Sequence, residues 1–343
     1  MDGIQRLGKF SKLDDGLQYV KPSDERLVVT QITSTAEGSD YKTSHIRSGD
    51  VRSFLEDDVR SESCLPQAAG HVVKLIEVTS QVPGTIDLDY ELCNEILTQI
   101  GIEPWIGRLF RNWTYGYHYS TRDTGARSGS YYLGTGHFTA MWTTTNRVRS
   151  SGVTKGVIVA QRNNRRDIAG AHIYDRIVDR LEVFNAVSWS PLYLPFVLSV
   201  DILTVRETIN TDIFSTIRKI EIITGHGSWG HVLGDMMRNQ DGIKHCTSEL
   251  GRALNQLADI YKHLNMVDLI FKDIDAQAAG LSTSDADEHA RSSTSSIAEA
   301  IGILRQQSIQ LRDQAQYLEV RVRSQSSVVG PTKSRYRTDD LQT

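Results

Sequence analysis

The residues best able to do chemistry in this chain fall in a few short stretches. Gly225-His226-Gly227-Ser228-Trp229-Gly230 spells G-x-G-x-x-G. In a dinucleotide fold those glycines let the backbone approach a pyrophosphate at a helix N-terminus. That use requires a strand before the loop and a βαβ unit of about 30 residues around it. The residues before Gly225 carry a helical pattern instead, so the loop reads as the turn that ends a helix, with Gly225 or Gly227 at positive φ. His226 and His231 flank this loop and His245-Cys246 follow it, without a C-x-x-C or H-E-x-x-H. Histidines at i and i+5 do not share a helix face, so no zinc site is expected. Asp285, Asp287 and Glu288 lack the glycine and the terminal glutamate of an EF-hand loop. Their expected role is favourable charge at the first turn of the helix that follows. They also suit weak Mg²⁺ binding, because Mg²⁺ keeps its waters and needs only one or two carboxylates.

Covalent catalysis finds no support. G-x-S-x-G is absent, and Ser228 follows Gly227 directly, the wrong register for a nucleophile elbow. Trp113, Tyr115, Tyr117 and Tyr119 alternate strictly, which marks a packed sheet face. As a base-stacking platform the set is poor, since only Arg111 and Arg122 flank it. Arg162, Arg165 and Arg166 form a basic turn of the solvated kind. Across the 343 residues, 38 Lys and Arg against 42 Asp and Glu give a net charge of −4, so a nucleic-acid partner is not expected. Three scattered cysteines supply no disulfide framework and fit a reducing compartment. The most apolar stretch, residues 192–203, includes Pro195, Ser199 and Asp201 and falls short of the ~20 apolar residues of a membrane span. With no signal-peptide core at the N-terminus, the expected location is the cytoplasm.

The elements that would position these residues follow from periodicity. Residues 26–34 and 71–79 are rich in β-branched types and predict strands. A short helix follows Ser48, with Val51, Phe54, Leu55 and Val59 on one face. Residues 88–100 place Leu88, Leu92, Ile96 and Ile100 at i+4 spacing, a helix ended by Gly101, and Pro104 opens another through Arg111. Strands are expected over 115–121, 130–133, 138–145 and 154–160, with a loop at 123–129. Close spacing favours antiparallel pairing, so the sheet should be mixed and mostly antiparallel. After Asp167 the pattern turns helical, first through Ile173, Ile177, Leu181 and Phe184. Pro191 then opens a region where Pro195 sits in a first turn or forces a kink, and a helix over 202–223 follows, its end at 220–223 also fitting a strand.

In the last third, Leu250, Leu254, Leu257, Tyr261, Leu264, Val267, Phe271 and Ile274 are separated by steps of three or four. The same holds for Ile297, Ile301, Leu304, Ser308, Leu311, Ala315, Leu318 and Val322, the near-heptad spacing of long helices packed side by side. The fold class is therefore α+β: a mixed sheet with flanking helices, followed by a long helical stalk or hairpin. The expected organisation is a loose tail over 1–24, an α/β domain over 25–231, a helical stalk region over 232–329 and a disordered tail over 330–343.

The C-terminal half resembles fungal proteins of the CorA-like magnesium transporter family. The resembling residues are Ser190-Pro191-Leu192-Tyr193-Leu194-Pro195-Phe196, then Ile217-Arg218-Lys219-Ile220-Glu221 running into Thr224-Gly225-His226-Gly227. They continue in Tyr317-Leu318-Glu319-Val320-Arg321-Val322-Arg323-Ser324-Gln325, whereas the N-terminal half is similar only in α/β character. The resemblance implies a non-enzymatic cytosolic domain with a stalk helix. In the family that stalk leads into two membrane helices, the first ending in a Gly-Met-Asn signature. Neither is in this sequence, so the expectation is a domain without its own pore, either a membrane-free relative or, as the polar tail favours, the product of a truncated gene. Its implied partners are further copies of itself or full-length CorA-like subunits. Asp273, Asp275, Asp285, Asp287 and Glu288 would then crowd between subunits as weak regulatory Mg²⁺ ligands. The alternative is a helical interaction or scaffold protein with no ion role.

Overall fold

The computed structural model describes residues 17–20, 26–35, 38–60, 69–80, 85–124, 126–146, 152–161, 172–225, 240–282 and 288–339. Its strands are β1 (Gln18–Tyr19), β2 (Arg26–Thr35), β3 (Gly38–Arg47), β4 (Ala69–Ser80), β5 (Thr85–Ile86), β6 (Gly116–Thr124), β7 (Ala126–Gly134), β8 (Phe138–Asn146) and β9 (Gly152–Gln161). Its α-helices are α1 (Val51–Arg60), α2 (Tyr90–Ile100), α3 (Pro104–Arg111), α4 (Ile173–Val183), α5 (Tyr193–Thr224), α6 (Gln240–Ser282) and α7 (Glu288–Asp339). The fold is α+β with a mixed, mostly antiparallel sheet and long C-terminal helices.

Two compact units share the chain: Met1–Asp201 with Leu269–Ile301, and Ile202–Asp268 with Gly302–Thr343. Sequence reasoning sets one boundary near residue 231; the division falls instead within α5, α6 and α7.

In the first unit a seven-stranded sheet has the order β3-β2-β4-β9-β8-β7-β6. Only the central β4–β9 pair is parallel; each of the other pairs is antiparallel. One row of paired residues crosses the whole sheet: Thr43, Thr30, Leu75, Gly156, Trp142, Tyr131 and Tyr119. Gly156 is required in that row. A Cβ there would lie 2.9 Å from Trp142 Cβ and 3.0 Å from both Leu75 Cδ2 and the Met141 carbonyl oxygen.

One face of the sheet packs Val29, Ile76, Val78, Met141, Val157 and Val159 against Val51 and Leu55 of α1, Ile96 and Ile100 of α2, and Ile106 and Phe110 of α3. Lys74 and Lys155 run through this layer and donate Nζ to the carbonyls of Phe54 (2.6 Å) and Leu55 (2.5 Å). Asp89 caps α2 by accepting the Glu91 amide at 2.8 Å, and Gly101 ends it at φ 80°. The other face meets α4, whose Tyr174 hydroxyl donates to Thr30 Oγ1 at 2.9 Å. Buried Asp201 is held by Arg176 through two bonds (2.7 and 3.0 Å) and by Arg180 at 3.3 Å.

In the second unit, stretches of α5, α6 and α7 share an apolar interior that includes Ile213, Ile217, Leu257, Leu264, Leu311, Leu318 and Val322. Polar pairs fix their registers. Arg206 donates to Asp259 at 2.7 Å, Arg312 to Asp268 at 2.8 Å, and Arg321 grips Glu221 with bonds of 2.9 and 2.5 Å.

Several expectations change. β3 was not expected: it contains no buried residue, and its exposed and half-buried positions alternate without apolar residues to mark the inner side in the sequence. Within the expected loop at 123–129, residues 123–124 and 126–129 are strand, because β6 and β7 stay paired to Thr124↔Ala126 and their ladder satisfies the backbone whatever the side chains. Within the expected N-terminal tail, β1 pairs with β5 and Leu17 is buried. The expected disordered tail from Gly330 continues α7 to Asp339, since extending an existing helix needs no new nucleus. α5 starts at Tyr193, with Pro195 in its first turn, where the missing N–H costs nothing.

Candidate functional site

Asp273, in the part of α6 that belongs to the first unit, is the buried Mg²⁺ candidate among the described residues, and it gathers polar partners. Its side chain is buried. Tyr117 donates its hydroxyl to Oδ2 at 2.5 Å, and Gln277 Nε2 lies 2.9 Å from Oδ1 and 2.8 Å from Oδ2. Gln277 in turn accepts the Tyr131 hydroxyl at 3.1 Å. Burial pushes the Asp273 carboxyl above its ordinary value, and the bonds from Tyr117 and Gln277 offset part of that rise. Burial also raises both tyrosines, with the Asp273 charge adding to it.

This cluster stands on the aromatic end of the cross-sheet row. Tyr131 stacks on Trp142 with ring centroids 5.1 Å apart and planes at 6°, and on Tyr119 at 6.4 Å and 20°. Tyr117 and Tyr119 point to the same face because they are two residues apart on β6. Trp142 is fully buried, and its indole N–H finds no acceptor among the described residues. The expected packed sheet face is found at Tyr117, while Tyr119 is half exposed.

Chemically, Asp273 does not fit a metal ligand: both oxygens already accept hydrogen bonds, and the site is closed to water. Asp275 lies two residues along the helix, roughly 200° away at about 100° per residue, and is exposed. Glu288 is exposed in the first turn of α7, where its charge suits the helix dipole. Asp285 and Asp287 lie outside the described residues. Asp268, on the same helix as Asp273, is matched by Arg312. Among the described residues no group of three His, Cys, Asp or Glu side chains is placed to hold a metal ion.

Gly225 follows the last residue of α5 at φ 69°, the left-handed conformation of a helix-ending glycine. A helix, not a strand, therefore precedes G-x-G-x-x-G, which removes the dinucleotide context; residues 226–231 lie outside the described residues. Cys246 is buried, and burial raises its thiol, which keeps it protonated and unreactive.

Sequence reasoning missed Gln277 as a partner of Asp273, and with it Tyr131, which donates to Gln277, and Trp142, which stacks on Tyr131. One signal was available: Asp273 and Gln277 stand at i and i+4, on one helix face. His71 was missed as well. It is buried on β4 with Nε2 3.0 Å from Thr154 Oγ1, and burial lowers its imidazole to about 4. No helix among the described residues is long and apolar enough to cross a membrane. No protein-family model matches the chain, and no curated protein matches it.

Proposed function

We propose that this chain is a non-enzymatic, cytoplasmic domain of the CorA-like kind, without a pore of its own, that acts by assembling with copies of itself or with full-length CorA-like subunits. The observation that carries the reading is the succession of a seven-stranded mixed sheet flanked by helices and a last helix of 52 residues. The polar chemistry agrees with a binding role. Asp273, Asp201 and Glu221 are each committed to internal partners, which leaves them unavailable as acid, base or nucleophile. Magnesium would be met through water by exposed carboxylates such as Asp275 and Glu288, not through Asp273.

The test is molar mass by light scattering with and without Mg²⁺ at matched ionic strength. The expected result is a larger mass at roughly millimolar Mg²⁺, with a coupling of about 1–2 kcal/mol. The same mass in both conditions removes the ion role and leaves the second reading, a helical interaction module. What favours that second reading is the apolar outer surface of α7, where Ile303 and Val320 are 73% and 63% exposed.

A further inference from the structure

Four aromatic rings follow one another across the last three strands of the sheet. Trp142 on β8 stacks on Tyr131 of β7 with centroids 5.1 Å apart, and Tyr131 stacks on Tyr119 of β6 at 6.4 Å. Tyr119 lies 5.9 Å from Tyr117, two residues back on the same strand. Of the four, Tyr119 is the one that meets water, at 46% exposed; Trp142, Tyr131 and Tyr117 are buried. Electron transfer slows steeply with separation, so rings packed this closely exchange electrons far faster than rings scattered over a fold.

The rings differ in where their protons can go. Losing an electron turns a phenol from a weak acid into a strong one, so a phenoxyl radical lasts where a base holds the departed proton. The Trp142 indole N–H has no acceptor among the described residues. Tyr131 donates to the Gln277 amide oxygen at 3.1 Å, which is not a base near neutral pH. Tyr119 opens onto water. Tyr117 donates to the Asp273 carboxyl at 2.5 Å, the short distance of a hydroxyl bonded to a charged oxygen. Gln277 Nε2 also points at both Asp273 oxygens, so every contact on that carboxyl comes from a donor, the pattern of an ionised acid. Burial strengthens Asp273 as a base toward the hydroxyl it already holds.

We propose that this series is a sink for one-electron oxidants of the peroxyl-radical class, entered at Tyr119 and ending on Tyr117, with Asp273 as the proton acceptor. A peroxyl radical takes an electron and the hydroxyl proton from Tyr119 and leaves as a hydroperoxide. Tyr117 then gives an electron to the Tyr119 phenoxyl, which regains a proton from water. The Tyr117 proton crosses its 2.5 Å hydrogen bond to Asp273 Oδ2. The chain is left with a phenoxyl at Tyr117 and a neutral carboxylic acid at Asp273. A surface reductant of the ascorbate class returns one electron through Tyr119, and Asp273 hands the proton back. Trp142 drains by the same path, since an electron lost from the indole is replaced by Tyr131.

This inference goes beyond the assembly reading and does not depend on it, since all the groups lie within the first unit of one chain. The test is pulse radiolysis of the full chain with azide radicals as the one-electron oxidant, following the phenoxyl absorption. The parent should form a long-lived phenoxyl, and its formation should slow in deuterated water because a proton moves with the electron. Tyr117→Phe should shorten the phenoxyl lifetime tenfold or more. Asp273→Asn, which accepts the hydrogen bond but not the proton, should do the same. Tyr117→Phe takes a donor from Asp273, so a second variant guards against a folding effect. Tyr119→Phe alters a half-exposed ring, and its circular-dichroism melt should match the parent. In that variant the long-lived radical should form tenfold more slowly and then last as long. A lifetime unchanged in Tyr117→Phe or in Asp273→Asn overturns the proposal, as does an unchanged rate of formation in Tyr119→Phe.

Discussion

Asp273 is buried among hydrogen-bond donors, and its environment makes a pH prediction with a definite sign. Its carboxyl is raised in the folded chain, so the fold holds that proton to higher pH than the unfolded chain does. The group therefore favours folding at acid pH and loses that contribution as pH rises through its folded value. Urea unfolding of Asp273→Asn should gain on the parent as pH climbs across the ordinary carboxylate range; a constant difference would show the carboxyl is not raised. His71 behaves in the opposite way. Its imidazole, near 6.5 when unfolded, is lowered to about 4 by burial, so the unfolded chain binds the proton first. Stability is present above about pH 6.5 and is lost toward pH 4, by on the order of 3 kcal/mol. In His71→Gln, which keeps a polar group toward Thr154, that acid limb should flatten. Neither shift is readable in the sequence, because an acid on a helix and a lone histidine on a strand acquire their shifts only from what other elements bring against them. For the same reason Asp273 and Asp275 do not share one cation site: Asp273 turns inward and Asp275 outward on the same helix.

At the scale of elements, the helices with strong apolar periodicity were legible along their stripes, while α5, α6 and α7 run beyond the expected ends. Leu257 and Leu311 are 1% and 3% exposed, as the stripes require. Either residue replaced by Asp should cost about 3–5 kcal/mol through an unpaired buried charge, visible as a large drop in thermal midpoint. Glycines separate into two kinds by the same measurement. Gly225→Ala meets the strain of φ 69° and should lose about 1 kcal/mol. Gly156→Ala meets atoms rather than torsional strain: the Trp142 and Leu75 side chains and the Met141 carbonyl must give way, at about 1–3 kcal/mol. The first position was readable as a helix end, while the second was not, since nothing local announces that a tryptophan on the next strand lies across a glycine. β3 escaped for a related reason. Its ten residues are held by a full ladder to β2, a source of order that is indifferent to side-chain hydrophobicity.

For the whole molecule, the sequence gives the order of strands and helices but not the interleaving of the two units, because local periodicity does not say which distant helix covers which sheet face. The first unit closes only when residues 269–301 join residues 1–201. A fragment ending at Asp201 lacks Asp273 and Gln277, so Tyr117 and Tyr131 lose their hydrogen-bond partners. That fragment should bind a hydrophobic dye and melt without a cooperative transition. A sharp melt like that of the full chain would mean that residues 269–301 are dispensable to the first unit.

Interleaving also sets a timetable for synthesis. At ~5–20 residues per second, the stretch between residue 201 and residue 301 takes about 5–20 s to make. Throughout that interval the nascent sheet is complete in its strands yet still waiting for the α6 segment that supplies Asp273. The ribosome thus holds an aromatic, β-rich intermediate for longer than most secondary structure needs to form. Cells making this chain therefore have reason to shield it with a holding chaperone until the returning helix arrives.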